Sequence, residues 1–233
     1  MNRHKNLYII GTSHISKQSI SEIKDAFEQI KPDILAVELD RPRLYGLMSS
    51  KQKGPSFYDI RRIGLKGFIF ALFGSWASKK LGKIVGVAPG SEMKSAVLLA
   101  NKNKVKVALI DQNIEVTLKR FSKSFSWKEK WNILVDIFNG LVLRKKDPML
   151  DFDISKVPKK KIIKKMISRL KERYPNIYKV IIDERNYYMA RKLKVLISDS
   201  EKKVLAVVGA GHEEAILDIL NENEGITYSF TVG

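Results

Sequence analysis

Short apolar runs alternate along the chain with longer segments whose apolar residues recur every three or four positions. The runs are Leu7-Tyr8-Ile9-Ile10, Ile34-Leu35-Ala36-Val37, Lys106 to Ile110, and Val204-Leu205-Ala206-Val207-Val208, each of strand length. Ile226 to Val232 reads as a final strand. Between the first two runs, Ile20, Ile23, Phe27 and Ile30 share a helical face, and Pro32-Asp33 ends that helix. Helices are also predicted from Ser91 to Asn101 and from about His212 to Leu220. Near-continuous apolar strands separated by helices predict an α/β fold, its sheet parallel or mostly parallel and flanked by helices.

Between the third and fourth runs, residues 113–198 form a long helical stretch. In it, Ile162, Ile163, Met166, Ile167 and Leu170 mark one face of an amphipathic helix. Lys160, Lys161, Lys164, Lys165 and Arg169 mostly occupy the other face, which is expected to be solvated. The chain shows no solenoid repeat and no low-complexity linker. The economical organisation is one domain over residues 1–233, with helical insertions at about 41–90 and 113–198 packed over one end of the sheet.

Charge adds a second layer. Lys and Arg total 43 against 25 Asp and Glu, a net charge of +18. Such a surface attracts polyanions, nucleic acid and anionic lipid among them, but solvated helix faces account for it equally well. With the lysines spread over several helices, polyanion binding is expected to be weak, non-specific and salt-sensitive. The absence of cysteine excludes disulfides, thiol nucleophiles, Cys-ligated zinc and iron–sulfur clusters, and leaves His and carboxylates to hold any metal. The amino terminus lacks the long apolar stretch of a signal peptide. The longest apolar run, Gly67 to Ala77, is shorter than the roughly 20 residues that span a bilayer. A soluble, cytoplasmic chain with no transmembrane helix is expected.

The chemistry-bearing pattern is a repeated one. Ile9-Ile10-Gly11-Thr12-Ser13-His14 and Val207-Val208-Gly209-Ala210-Gly211-His212 each run from a buried strand through Gly-x-x-His into a helix. Glycine is expected to let the backbone turn at the strand end. A histidine at a helix N-terminus is disfavoured as imidazolium, and the neutral ring can ligate a metal or act as a base. Ligands of open parallel sheets collect at the carboxyl ends of the strands. His14, His212, Glu38, Asp40 and Asp111 are all predicted there. Neutral imidazole with carboxylate oxygen suits zinc, manganese, cobalt or ferrous iron. Each residue also has a plain structural reading: helix caps for the histidines, rim ion pairs for Glu38 and Asp111, and a helix-start carboxylate with Arg41 and Arg43 for Asp40. Asp183-Glu184-Arg185-Asn186-Tyr187-Tyr188-Met189 either lines a pocket or forms a surface helix. In Pro89-Gly90-Ser91-Glu92-Met93, Ser91 and Glu92 suit a helix start.

Taken in order, these blocks resemble the TraB/PrgY family, from about residue 7 to residue 216. The matching segments are Gly11-Thr12-Ser13-His14-Ile15-Ser16, Pro32 to Leu39 with Arg41 or Arg43, Pro89 to Met93, Asp111 with Thr117-Leu118-Lys119-Arg120, Asp183 to Met189, and Val207 to His212. The chain departs from the family pattern at Ser13, where a smaller alanine is usual, and at Gln112, where arginine is usual. The resemblance implies a fold related to the erythromycin-esterase, ChaN-like and Tiki proteins; Tiki proteins are proposed metal-dependent peptidases. TraB/PrgY proteins are linked to the shutdown of peptide pheromone signals, which implies binding or cleavage of peptides. Many microbial members continue into a membrane-embedded region, so a soluble minimal version is expected here.

The resulting expectation is a metal-dependent, peptidase-like hydrolase. His14, His212 and Glu38 would hold a divalent ion such as Mn, Co or Zn. Glu92 or Glu184 would serve as general base or acid, and Arg185 would bind a substrate carboxylate or an oxyanion. Arg43, Asp111 and Tyr188 are expected to contact substrate. The alternative is a non-catalytic module that binds or sequesters a peptide or an anionic partner.

Overall fold

The computed structural model describes residues 1–12, 17–49, 56–65, 67–69, 71–72, 75, 90–124, 126–141 and 160–222. The block Ser13 to Ser16, which contains His14, and the strand expected over Ile226 to Val232 lie outside the described residues.

The four apolar runs form β2 (Leu7–Thr12), β3 (Ile34–Val37), β4 (Lys106–Leu109) and β5 (Val204–Gly209). Asn2–His4, too short and polar to stand out in the sequence, forms an antiparallel edge strand, β1, against β2. The sheet order is β1-β2-β5-β3-β4, and every pair except β1–β2 is parallel. A mixed, mostly parallel sheet in an α/β fold is therefore what the chain builds. Every residue of β3 and β5 is buried, which explains why those runs carry no polar alternation.

Helices cover both faces. On one face α1 (Lys17–Ile30) and α3 (Ser91–Lys102) pack Ile23, Phe27, Met93, Ala96 and Val97 against Leu35, Val37, Leu205 and Val207. On the other, α8 (Glu184–Leu196) and α9 (Glu213–Glu222) pack Met189, Leu193 and Ile216 against Leu7, Ile9, Val204 and Val208. Although α8 falls within the stretch expected as an insertion, it covers the sheet. Between β3 and α3 lies α2 (Arg41–Met48). Between β4 and α8 come α4 (Ile114–Ser124), α5 (Trp127–Leu141), α6 (Lys160–Arg173), α7 (Pro175–Tyr178) and a π-helical turn, Lys179–Asp183.

The strand order also sets where a crevice opens. β5 enters last and sits between β2 and β3, so chain direction across the sheet reverses there, the place where such sheets open a crevice at the strands' carboxyl ends. Helices that precede or follow a parallel strand run back along it. The first turns of α3, α8 and α9 therefore lie at that same edge.

α5 is joined to the rest by its polar side. Ser126 and Glu129 form a capping box: the Glu129 amide donates to Ser126 Oγ at 3.3 Å, and the Ser126 amide donates to Glu129 Oε2 at 3.1 Å. The same carboxylate accepts the Asn176 and Ile177 amides at 2.8 and 3.2 Å, capping α7 as well. Further along, Asn132 donates to the Arg173 carbonyl at 2.9 Å, and Asp136 accepts from Arg173 and Tyr174. Burial opposes the charge of Glu129, but its hydrogen bonds outweigh burial and hold its pKa below the ordinary carboxylate value. The bond from Arg173 does the same for Asp136.

Candidate active site

His212 follows β5 through Gly209-Ala210-Gly211. Its amide donates to the Gly209 carbonyl at 2.9 Å, and its own carbonyl accepts the Ile216 amide at 3.0 Å, so it stands at the N-cap of α9. Its ring is buried. Nδ1 lies 2.5 Å from Asn186 Oδ1, and because an amide oxygen only accepts, Nδ1 carries the proton in that bond. Nε2 then faces Glu38 Oε1 at 3.4 Å. Glu38 leaves β3 at the same edge, where its Oε2 accepts the Gly209 amide at 2.6 Å. Asn186 and Arg185 enter from the first turn of α8.

Arg185 ties the two carboxylates together. It donates to Asp111 through Nε at 3.0 Å and Nη2 at 2.7 Å, to Glu38 through Nη2, and to the Ile181 carbonyl through Nη1 at 3.1 Å. Burial opposes the guanidinium charge, but Glu38 and Asp111 outweigh burial and raise its pKa above the ordinary arginine value. Asp111 also accepts from Arg43 and from the Gln112 amide. Asp40 caps two helices at once, accepting the Arg43 amide at 2.8 Å and the Ile114 amide at 2.5 Å. Asp40 is thus the helix-start carboxylate that its sequence position allowed.

Beside this network a cleft of about 520 Å³ opens between α6 and the first turns of α9. Ile163 and Ile167 form one wall, Glu213 and Glu214 the other, and Asn186, Ala210 and Gly211 border it on the histidine side. The basic face of α6 reaches this cleft through Lys164, which pairs with Glu214 at 2.7 Å. Gly11 needs its missing Cβ here: a methyl would sit 2.8 Å from Glu213 Oε2 and 2.9 Å from the Ala210 Cα. Gly11 is still within β2, so close approach, not a turn, is what demands glycine.

Over residues 2–228 the chain matches the model of the TraB/PrgY/gumN family. The chain belongs to the TraB/PrgY/gumN family. It is 37% identical over 223 residues to an uncharacterized protein of Methanocaldococcus jannaschii, covering 94% of this chain and 54% of that protein. It is also similar to the TraB domain-containing proteins of mouse, at 27% identity, and human, at 26%, each over 90% of this chain and 61% of the relative. The chain thus spans about half to three-fifths of the length of these relatives.

In this TraB-family chain the residues singled out by sequence divide into groups. His212, Glu38, Arg185, Asp111 and Arg43 meet in one continuous network. Glu184, adjacent to Arg185, pairs instead with Arg120 of α4 at 2.9 Å. Glu92 is fully buried in the first turn of α3. Tyr188 lines a separate groove with Arg191, Val195 and the edge strand β4. Asn186 received no role of its own from sequence; its place inside the block from Asp183 to Met189 is the only signal for it. Among the described residues, no group of three or more His, Cys, Asp and Glu side chains is placed to hold a metal ion. His212 Nε2 and Glu38 Oε1, 3.4 Å apart, are the two candidate donors at this edge, and Oε1 also accepts from Arg185. Fixing Nδ1 through Asn186 is the outer-shell arrangement typical of metal-binding imidazoles.

Proposed function

We propose that the carboxyl edge of the sheet is a hydrolase site, peptidase-like, that works with a divalent metal ion. The observation that carries this reading is His212: its Nδ1 is locked by Asn186 while Nε2 faces the Glu38 carboxylate beside a cleft large enough for a peptide segment. His212 and Glu38 would hold the ion, with His14 as third ligand. In sequence His14 follows two residues after Thr12, which pairs with Gly209, so its strand ends beside the one that leads to His212. When bound, the ion would make an attached water more acidic and a better nucleophile.

The surrounding residues have their own tasks. Asn186 fixes the imidazole tautomer. The Gly209 amide and Arg185 hold the two oxygens of Glu38, so the carboxylate keeps its orientation. With Asp111, Glu38 and the Ile181 carbonyl around it, Arg185 is a positioning residue, not a free oxyanion donor. Ile163 and Ile167 offer apolar surface to a substrate, and Lys164 and Lys171 offer charge to its carboxylates. The second reading, a binding module without catalysis, draws on the same arginine, which neutralises Glu38 without any ion.

The two readings part in an assay. Chain loaded with manganese, cobalt or zinc and incubated with a broad peptide library should cleave a subset, and Glu38→Gln should abolish cleavage. No cleavage by any metal-loaded sample would remove the peptidase reading in favour of the binding module.

A further inference from the structure

α5 is an amphipathic helix turned inside out. Glu129, Asn132 and Asp136, spaced three and four residues apart, face the protein and make the bonds that dock the helix. The apolar stripe faces outward. Trp127 is 84% exposed, Trp131 68%, Leu134 59% and Phe138 56%, at positions i, i+4, i+7 and i+11 of one face. An ordinary surface helix buries that stripe and exposes the carboxylates. Four large apolar side chains in a row, two of them tryptophan, mark an interaction surface and not scattered exposure.

We propose that α5 seats the chain on an anionic lipid bilayer, lying in the plane of the interface with this stripe in the acyl boundary. Charge selects the occupant. The chain carries +18, so two copies repel each other, whereas an anionic surface attracts them. Lys128 and Lys130 flank the tryptophans, and Lys130 Nζ sits 3.8 Å from the centre of the Trp127 ring, which places cationic groups at headgroup level beside indoles suited to that depth. Trp at the membrane–water boundary with Leu and Phe beyond it is the pattern of an interfacial helix. At 15 residues α5 is about 22 Å long, too short to cross a hydrocarbon core of about 30 Å. Among the described residues no helix is long and apolar enough to cross a membrane, so α5 lies on the bilayer.

The test is co-sedimentation of the full chain with vesicles of phosphatidylcholine alone and of phosphatidylcholine with phosphatidylserine, read together with tryptophan fluorescence. Binding to the serine-containing vesicles, with a blue-shifted emission quenched by brominated acyl chains, is expected. Trp127→Ser/Trp131→Ser and Leu134→Ser/Phe138→Ser, at exposed positions that leave the fold intact, should each weaken binding by about tenfold or more. Lys128→Gln/Lys130→Gln should weaken it less and flatten its salt dependence. Equal binding by wild type and stripe variants would overturn the proposal and leave only diffuse charge attraction. So would a stripe emission (wild type minus Trp127→Ser/Trp131→Ser, which removes the signal of Trp76) already blue-shifted without lipid, which means the stripe is covered, or a concentration-dependent dimer that the stripe variants abolish.

Discussion

Two charge networks, a buried one at the sheet edge and a half-buried one where α5 meets α6 and α7, use the same chemistry for different ends. In both, carboxylates accept from an arginine and from backbone amides. At the α5 joint, Glu129 caps both α5 and α7 and Asp136 clamps Arg173 and Tyr174, and among the described residues no imidazole joins them. At the sheet edge, Glu38 and Asp111 are held just as firmly by Arg185, but Glu38 also faces Nε2 of a fixed imidazole at 3.4 Å, with a cleft alongside. An arginine–carboxylate pair is therefore no mark of a site in itself. What distinguishes the edge is an imidazole oriented toward a carboxylate beside a cleft.

The comparison breaks most visibly at Arg185. Arg185→Met leaves Glu38 and Asp111 buried without their shared cation and should lower stability by about 3–5 kcal/mol, measured by chemical denaturation. Glu129→Gln comes next. It keeps the shape but weakens two caps, so a loss of about 1–3 kcal/mol is expected, with peptide cleavage unaffected. Acid sharpens the same point. The pKa of Glu129 is depressed from 4.5 and that of Asp136 from 3.8, so their contribution is complete above those values and is lost as pH falls through the lower folded ones. Hydrogen exchange should show α5 loosening in that acid range before the sheet does. Asn186→Ala should cost little stability beyond one hydrogen bond, about 1 kcal/mol, yet weaken metal binding by roughly 10- to 100-fold. Smallest of all, Lys164→Ala removes an exposed ion pair with Glu214 and should leave the denaturation midpoint unchanged within error.

Much of the architecture was legible because burial on both faces leaves a simple record. Val204 to Val208 and Ile34 to Val37 contain no polar residue, and only a strand covered on two sides needs that. The placement of Glu38, Asp111 and His212 at one edge followed from each standing just past such a run. β1 was not legible, since Asn2-Arg3-His4 has neither apolar content nor alternation and pairs only because β2 offers an open edge. Partners were not legible either. Asn186 and His212 are 26 residues apart, and Arg185 and Glu38 147, so only the assembled fold brings them together. Periodicity also leaves direction open. α5 and α6 both carry an apolar stripe, yet α6 turns Ile163 and Ile167 toward the cleft while α5 turns Trp127 and Trp131 away from the protein. The partners of Glu129 and Asp136 decide that orientation.

The central claim is that His212 and Glu38, with His14, bind a divalent ion. Calorimetric titration of manganese, cobalt or zinc at neutral pH tests it most directly. The account predicts about one ion per chain for the wild type, loss of tight binding in His212→Ala and in His14→Ala, and unchanged binding in Glu129→Gln. A folded wild-type chain that takes up no ion, or a His212→Ala variant that binds as tightly as wild type, would contradict it.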